Sequence, residues 1–178
     1  MCKIKNGSGA MDEERKKIRY YLQRYRYCIN RKKELEARLY EIKAEMQYPL
    51  SAVSYSGSNG QSFNISTGAA AFTYRIAEIE DRIEEQQRKS VCELLAIMEV
   101  LDFLPVESVE REIIEKRFVD KMSWYKIANK MHMSRSRIAF YEKQGLDKLM
   151  TYKRVQELVN DFWENRFEEN KIVYLDKN

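Results

Sequence analysis

The stretch SWYKIANKMHMSRSRIAFY, residues 123–141, decides the fold of this chain. It predicts two short helices joined by a tight turn. Ser123 is a natural N-cap for the first helix, 124–131, and Ser134 for the second, 135–150. Two helices that cross at a fixed angle need apolar or small residues at set offsets where they touch. Counted from residue 124, those offsets hold residues of the required kind: Ile127, Ala128, Met131, Met133, Ile138 and Tyr141. The spacing therefore predicts a helix-turn-helix, preceded by a helix at about 106–119.

The turn departs from the usual pattern at one position. The ninth residue is commonly glycine because the turn favours a positive φ, and here it is His132. Histidine is among the residues that tolerate the left-handed conformation. We interpret His132 as a turn residue, with a phosphate contact as the alternative.

Positive charge is concentrated around the same stretch. Residues 116–143 include eight basic and two acidic side chains, a local charge of +6, whereas residues 155–178 carry −3 and the whole chain +4. A polyanion-binding surface requires such a concentration, although a solvated basic face would look the same on charge alone.

The start of the second helix has the donors that DNA contact needs. Arg135 and Arg137 can bind guanine edges, while Ser136 and Lys143 suit backbone contacts, and Ala139 and Phe140 lie between them. Three lysines flank the motif and can neutralise phosphates: Lys121, Lys126 and Lys130. The alternative is an ordinary three-helix bundle with a basic exterior. The six offsets together with the charge favour DNA binding.

Two long amphipathic helices are expected ahead of this segment, at 12–47 and about 68–103, after a disordered leader at 1–11. A flexible Ser-, Gly- and Asn-rich loop, 48–67, separates them. Neither helix can bury its apolar stripe alone, so we expect a coiled-coil-like antiparallel hairpin that closes within one chain or in a homodimer. The first stripe is Tyr21, Tyr25, Cys28, Lys32, Leu35, Leu39, Ile42 and Met46; the second is Phe72, Ile76, Ile79, Ile83, Gln87, Val91, Leu94, Met98 and Leu101, with a stutter after Ile83.

Composition narrows the remaining classes. The chain of 178 residues has 44% hydrophobic and 34% charged residues, two prolines and six glycines, which favours an all-α protein. No apolar run approaches the roughly 20 residues that cross a bilayer. Three cysteines without a close pair fit a reducing cytoplasm. A phosphate-binding loop, a metal-ligand cluster and a nucleophile–base pair are all missing from the sequence, so we expect neither an enzyme nor a cofactor or metal.

The segment 104–150 resembles the fourth region of bacterial sigma factors. The stretches that carry the resemblance are LPVESVEREIIEKRF, SWYKIANKM and MSRSRIAFYEKQGLDKLM. Carried over by position, the resemblance implies that the helix entering the major groove of double-stranded DNA has on it or beside it Ser134, Arg135, Ser136, Arg137 and Tyr141. With a long hairpin ahead of it, the chain also resembles phage and prophage late-gene regulators of the ArpU and RinA type. That resemblance implies an activator of late transcription that works with RNA polymerase in a bacterial cytoplasm.

A second hypothesis remains open at this stage. The DNA-recognition subunit of a phage packaging terminase also combines a helix-turn-helix with helical oligomerisation segments. The domain organisation expected under either hypothesis is a leader (1–11), a hairpin (12–103), a DNA-binding domain (104–150) and a C-terminal helix with an acidic tail (151–178).

Overall fold

The computed structural model describes the backbone of residues 7–47 and 65–175, and the side chains of residues 11–46 and 70–165. These residues are helical or in short connections and include no strand, which confirms the all-α class. In chain order the helices are α1 (Gly7–Gln47), α2 (Ile65–Leu101), α3 (Val109–Ile114), α4 (Trp124–Met131), α5 (Arg135–Leu149) and α6 (Lys153–Leu175), with a π-helical stretch, Glu115–Val119, continuing α3.

The long helices differ at their ends from the sequence-based expectation. The first begins at Gly7, five residues before the predicted start, so part of the predicted leader is helical. The second runs from Ile65 to Leu101 instead of from 68 to 103. Residues 1–6 of the predicted leader and residues 48–64 of the predicted loop lie outside the described residues.

Contacts between Cα atoms divide the chain into two compact units, one of which is Tyr27–Ser90. Within it, Lys32 Nζ donates to Gln87 Oε1 at 3.2 Å and Lys43 Nζ pairs with Glu80 Oε1 at 2.8 Å. Higher residue numbers on α1 therefore meet lower numbers on α2. The two segments run antiparallel, as the predicted hairpin requires.

The predicted stripe on α1 is confirmed by burial along most of its length, since Cys28 and Leu35 are buried and Leu39 and Ile42 half-buried. Only Met46, 49% exposed, departs from it.

The predicted stripe on α2 is wrong after Ile83 at three of its five positions, whereas Leu94 is half-buried and Leu101 buried, as predicted. Gln87, Val91 and Met98 are exposed, whereas Gln86, Ser90 and Ile97 take the inward positions. The alternation of three and four residues therefore continues through Ile83 without a stutter. The prediction was wrong because it assumed that apolar side chains are buried, whereas Val91 and Met98 are apolar and exposed.

The other unit contains the residues up to Arg26 and those from Val91 onward. One core unites segments of α1, α2, α3, α5 and α6 there. Its buried members are Ile18, Tyr21, Leu22, Ile97, Val100, Leu101, Leu104, Ile114, Phe118, Leu146, Leu149, Met150, Val155 and Val159. The domain boundaries expected from sequence stay a prediction. In the structure, segments on both sides of the boundaries at 103 and 150 bury side chains in this shared core.

Ion pairs hold the first helix against α5 inside this unit. Arg15 donates both Nε and Nη2 to the two carboxylate oxygens of Asp147, at 2.6 and 2.8 Å. Arg19 Nη2 lies 2.9 Å from Glu142 Oε2, and the Glu142 side chain is only 4% exposed. Bidentate arginine–carboxylate pairs fix geometry as well as charge. The C-terminal half of α5 is therefore held in place by the start of α1.

Candidate nucleic-acid interface

The helix ahead of the helix-turn-helix is anchored by its own polar contacts. Ser108 caps α3 by accepting from the Arg111 backbone N–H at 3.3 Å. The buried Arg111 guanidinium in turn donates to Glu115, to Asp102 and to the Leu104 carbonyl. These carboxylates raise the pKa of Arg111 above its ordinary value. The network ties α3 to the connection that precedes it.

Beyond α3, the π-helical stretch ends in two backbone hydrogen bonds, which join residues five and six positions apart. The N–H of Asp120 donates to the Glu115 carbonyl at 3.0 Å, and that of Met122 to the Lys116 carbonyl at 2.9 Å. Arg117 stacks over the Trp124 ring at 4.9 Å and donates to the Met122 carbonyl. Burial and the nearby charge of Arg26 lower the pKa of Arg117. The stretch thus packs directly on the first residue of α4.

Serine caps begin both helices of the motif where the sequence predicts them. Ser123 accepts from the Lys126 N–H and Ser134 from the Arg137 N–H, each at 3.3 Å. Both caps have extended backbone angles, as N-caps require. The starts of α4 and α5 are therefore set by local chemistry.

The turn between the two helices contains the predicted left-handed residue. His132 has φ 52° and ψ 40°. Its N–H points to the Asn129 carbonyl at 3.4 Å, while the Met133 N–H donates to the Ala128 carbonyl at 3.1 Å. This pair of bonds is the Schellman ending of a helix, in which glycine is the usual left-handed residue. The interpretation of His132 as a turn residue is confirmed.

A second core lies between α3, α4 and α5. Ile113, Ile127 and Ile138 are fully buried at its centre. The other residues that pack on it are Val109, Met122, Trp124, Ala128, Met131, Met133 and Tyr141. All six offsets that predicted the helix-turn-helix are among these core residues. The motif is therefore confirmed by its packing.

The first turn of α5 faces solvent. Ser134, Arg135, Ser136 and Arg137 are all exposed. Arg137 lies over the Tyr141 ring, 5.7 Å from its centroid, and donates to the Tyr141 hydroxyl at 3.4 Å. Because Tyr141 also packs on the second core, its contacts with Arg137 restrain the position of the Arg137 guanidinium.

The four lysines predicted to contact phosphates or the DNA backbone differ in setting. Lys126 and Lys130 on α4 and Lys143 on α5 are exposed. Lys121 is half-buried with φ 57°, and its ammonium lies 5.0 Å from the Tyr25 ring centroid. The structure thus exposes three of the four lysines and packs the fourth against an aromatic ring.

Two exposed aromatic side chains beside these residues were not among the predicted contacts. Phe140 on α5 is 61% exposed and Tyr125 on α4 is 67% exposed. A helical projection of α5 would have found Phe140, because it lies about 160° around the helix from the buried Ile138 at 100° per residue. Sequence reasoning treated it only as a residue between the inward positions.

Metal sites and membrane-spanning helices are absent from the part of the chain that the structure describes. Among those residues, no group of three or more His, Cys, Asp or Glu side chains is placed to hold a metal ion. Likewise, no helix in that part is long and apolar enough to cross a membrane.

Comparison with known proteins agrees with the geometry of this segment. Residues 107–150 match the family described as Sigma-70, region 4. No curated protein and no solved structure matches the chain. The matched segment begins just before the α3 cap and ends just after α5, so it contains the whole second core. The chain therefore carries at residues 107–150 a sigma-70 region 4 domain, a DNA-binding helix-turn-helix.

Proposed function

We propose that the protein is a sequence-specific transcription regulator that inserts the start of α5 into the major groove of double-stranded DNA. One observation carries the proposal. The exposed first turn of α5 presents Arg135 and Arg137 on a helix that the fully buried Ile138 anchors in the second core. A major groove about 12 Å wide admits such a helix.

The side chains have three roles under this proposal. Arg135 and Arg137 contact base edges, because a guanidinium can bind guanine O6 and N7 in a bidentate manner. Tyr141 orients Arg137 through the stacking and hydroxyl contact described above. Phosphate contacts come from the exposed hydroxyl and ammonium groups around the motif: Ser134, Ser136, Lys126, Lys130, Lys143 and, through its partly accessible side chain, Lys121.

The biological setting is a further part of the proposal. The sigma-like domain supports action at promoters together with RNA polymerase. The antiparallel segments of α1 and α2 supply a long surface for a homodimer or for the polymerase itself. Together with the resemblance to phage regulators, these features favour a phage or prophage late-gene activator that works in the bacterial cytoplasm.

The DNA-contact roles are tested by substitution after a cognate duplex has been selected from random sequences with the full chain. Replacing Arg135 or Arg137 with alanine should cost about 1–3 kcal/mol at the cognate site and relax base preference at one position. Arg154→Ala, an exposed arginine on α6, is the matched control and should leave affinity unchanged. Unchanged affinity in the Arg135/Arg137 double variant would refute the placement of α5.

The phosphate role has its own signature. Lys126→Ala should weaken binding to cognate and random duplexes alike and reduce the slope of log affinity against log salt by about 1. Lys153→Ala, whose side chain is 90% exposed on α6, serves as the control. A loss confined to the cognate sequence would contradict a phosphate contact.

Stoichiometry and target location test the biological setting. Light scattering should give a monomer or dimer, and footprinting on phage and bacterial DNA should find promoters. A stable ring of about eight or more copies bound at a packaging site would overturn the regulator and favour the terminase subunit.

A further inference from the structure

Phe140 occupies the centre of the solvent-facing side of α5. With 100° per residue, the buried Ile138, Glu142 and Leu149 define the inner face, and Phe140 lies almost opposite their mean direction. Ser136, one turn earlier, and Lys143, one turn later, share its side of the helix and are also exposed. A helix that enters the major groove with Ser136 and Arg137 therefore carries the Phe140 ring toward the base edges.

Phe140 is 61% exposed, and its ring has an aromatic neighbour. It meets the Tyr141 ring edge-to-face, with centroids 5.7 Å apart and an interplanar angle of 70°. Tyr141 packs on the second core and contacts Arg137. A phenyl ring and a guanidinium are thus arranged in advance around the half-buried Tyr141, which lowers the entropy that binding must overcome.

The surroundings of Phe140 indicate what covers it. Arg137 and Lys143 are exposed one turn before and one turn after Phe140 on α5, so its partner carries negative charge. That partner must also present an apolar group small enough to meet a single ring. In the major groove of natural DNA, thymine carries such a group, its C5 methyl, and phenylalanine is among the side chains that contact it.

We infer that Phe140 contacts the methyl group of a thymine in the cognate site and thereby sets a base preference beside the one set by Arg137. This inference rests on the proposed function, because it requires α5 in the major groove. Arginine selects guanine by hydrogen bonds, whereas Phe140 selects thymine by excluding water from its methyl group. The two contacts are chemically independent and can be removed separately.

Deoxyuridine provides the test, since it differs from thymine only by lacking that methyl group. Each thymine of the selected duplex is replaced by deoxyuridine in turn, and the dissociation constant of the full chain is measured by fluorescence anisotropy. Wild-type protein should lose about fourfold in affinity at one or two positions, which corresponds to the roughly 0.8 kcal/mol of one buried methyl-sized group.

Three variants complete the design. Phe140→Ala should bind the thymine and deoxyuridine duplexes equally at those positions, while Phe140→Leu should keep part of the discrimination. Val106→Ala, an exposed apolar residue ahead of α3 (79% exposed), should behave as wild type. Circular dichroism checks that each variant is folded, which we expect because neither side chain is buried.

The outcomes separate this inference from the proposed function. Wild-type protein that is insensitive to deoxyuridine everywhere, or equal sensitivity in Phe140→Ala, overturns the thymine contact. If Arg135→Ala and Arg137→Ala still weaken binding in that case, the regulator proposal stands. If Phe140→Ala leaves DNA affinity intact but abolishes association with RNA polymerase or a second copy, the ring is a protein contact and the inference is wrong.

Discussion

Helix α5 lies close to α3 at Gly145, and one added methyl group tests that approach. A Cβ atom at this position would lie 2.7 Å from Ile114 Cδ1 and 2.9 Å from Glu110 Cβ. Favourable carbon–carbon contacts lie at about 3.5–4.0 Å. Ile114 is fully buried, and the Cβ of Glu110 moves only with the α3 backbone. Gly145→Ala must therefore push the two helices apart.

The expected loss of stability is the difference between two effects. Overpacking a buried site costs about 1–3 kcal/mol. Alanine recovers about 1 kcal/mol because it is a better helix former than glycine. With two contacts below 3 Å, strain should win, so the free energy of unfolding should fall by about 1–2 kcal/mol and the Tm by about 2–8 °C.

Urea denaturation followed by far-ultraviolet circular dichroism measures this loss, with Ala139→Gly as the matched control. Ala139 is exposed on the same helix, so its replacement reports helix propensity alone, a loss of about 1 kcal/mol. If Gly145→Ala instead stabilised the protein by the amount that Ala139→Gly loses, the close approach of α3 and α5 would be refuted.

Two further predictions concern the turn and the α3–α5 contact. His132→Gly should raise the free energy of unfolding by about 1 kcal/mol, since glycine adopts φ 52° without a Cβ penalty; a fall in Tm would mean that the imidazole makes a stabilising contact. The hydrogen bond from Lys148 lowers the pKa of Glu110 below its ordinary 4.5, so this carboxylate stabilises the fold above about pH 4.5 and its contribution is lost as the pH falls through the lowered pKa. In urea titrations across that acidic range, Glu110→Gln should lose less stability than wild type, and an identical decline in both would contradict the contact.

The ion pairs at the start of α1 help to orient α5. Arg15 and Arg19 fasten α1 to the half of α5 that follows the proposed base contacts. Because Glu142 is buried, removing its partner Arg19 would leave an unpaired buried charge, which lowers the stability of the fold. The start of α1 therefore supports the orientation of the proposed DNA-contacting helix.

Local chemistry made the helix-turn-helix predictable. Three features carried the prediction: the serine caps, the six packing offsets and the left-handed histidine. Each depends on residues that are close along the chain, so the sequence spacing alone can predict it. The same holds for the exposed Arg135 and Arg137, which fall between inward positions of a short helix whose phase is set by its cap. The same helical spacing places Phe140 on the exposed face, yet Phe140 was not predicted as a DNA contact.

The inward face of α2 could not be found in this way. Val91 and Met98 are apolar yet exposed, while Gln86 is half-buried and Ser90 buried. A long helix offers several neighbouring stripes of similar hydrophobicity, and the partner helix selects among them. Sequence periodicity alone then follows the more apolar stripe, which here is the wrong one.

By itself, the sequence determined the class of the protein, the position of its DNA-binding motif and the caps that begin α4 and α5. Only the tertiary structure decided that both long helices and α6 share a core with that motif. It also decided that Lys121 lies over Tyr25 and that α3 packs closely against α5 at Gly145. The reason is physical. Caps and turns are governed by neighbours along the chain, whereas packing depends on segments more than 100 residues apart, such as Arg15 and Asp147.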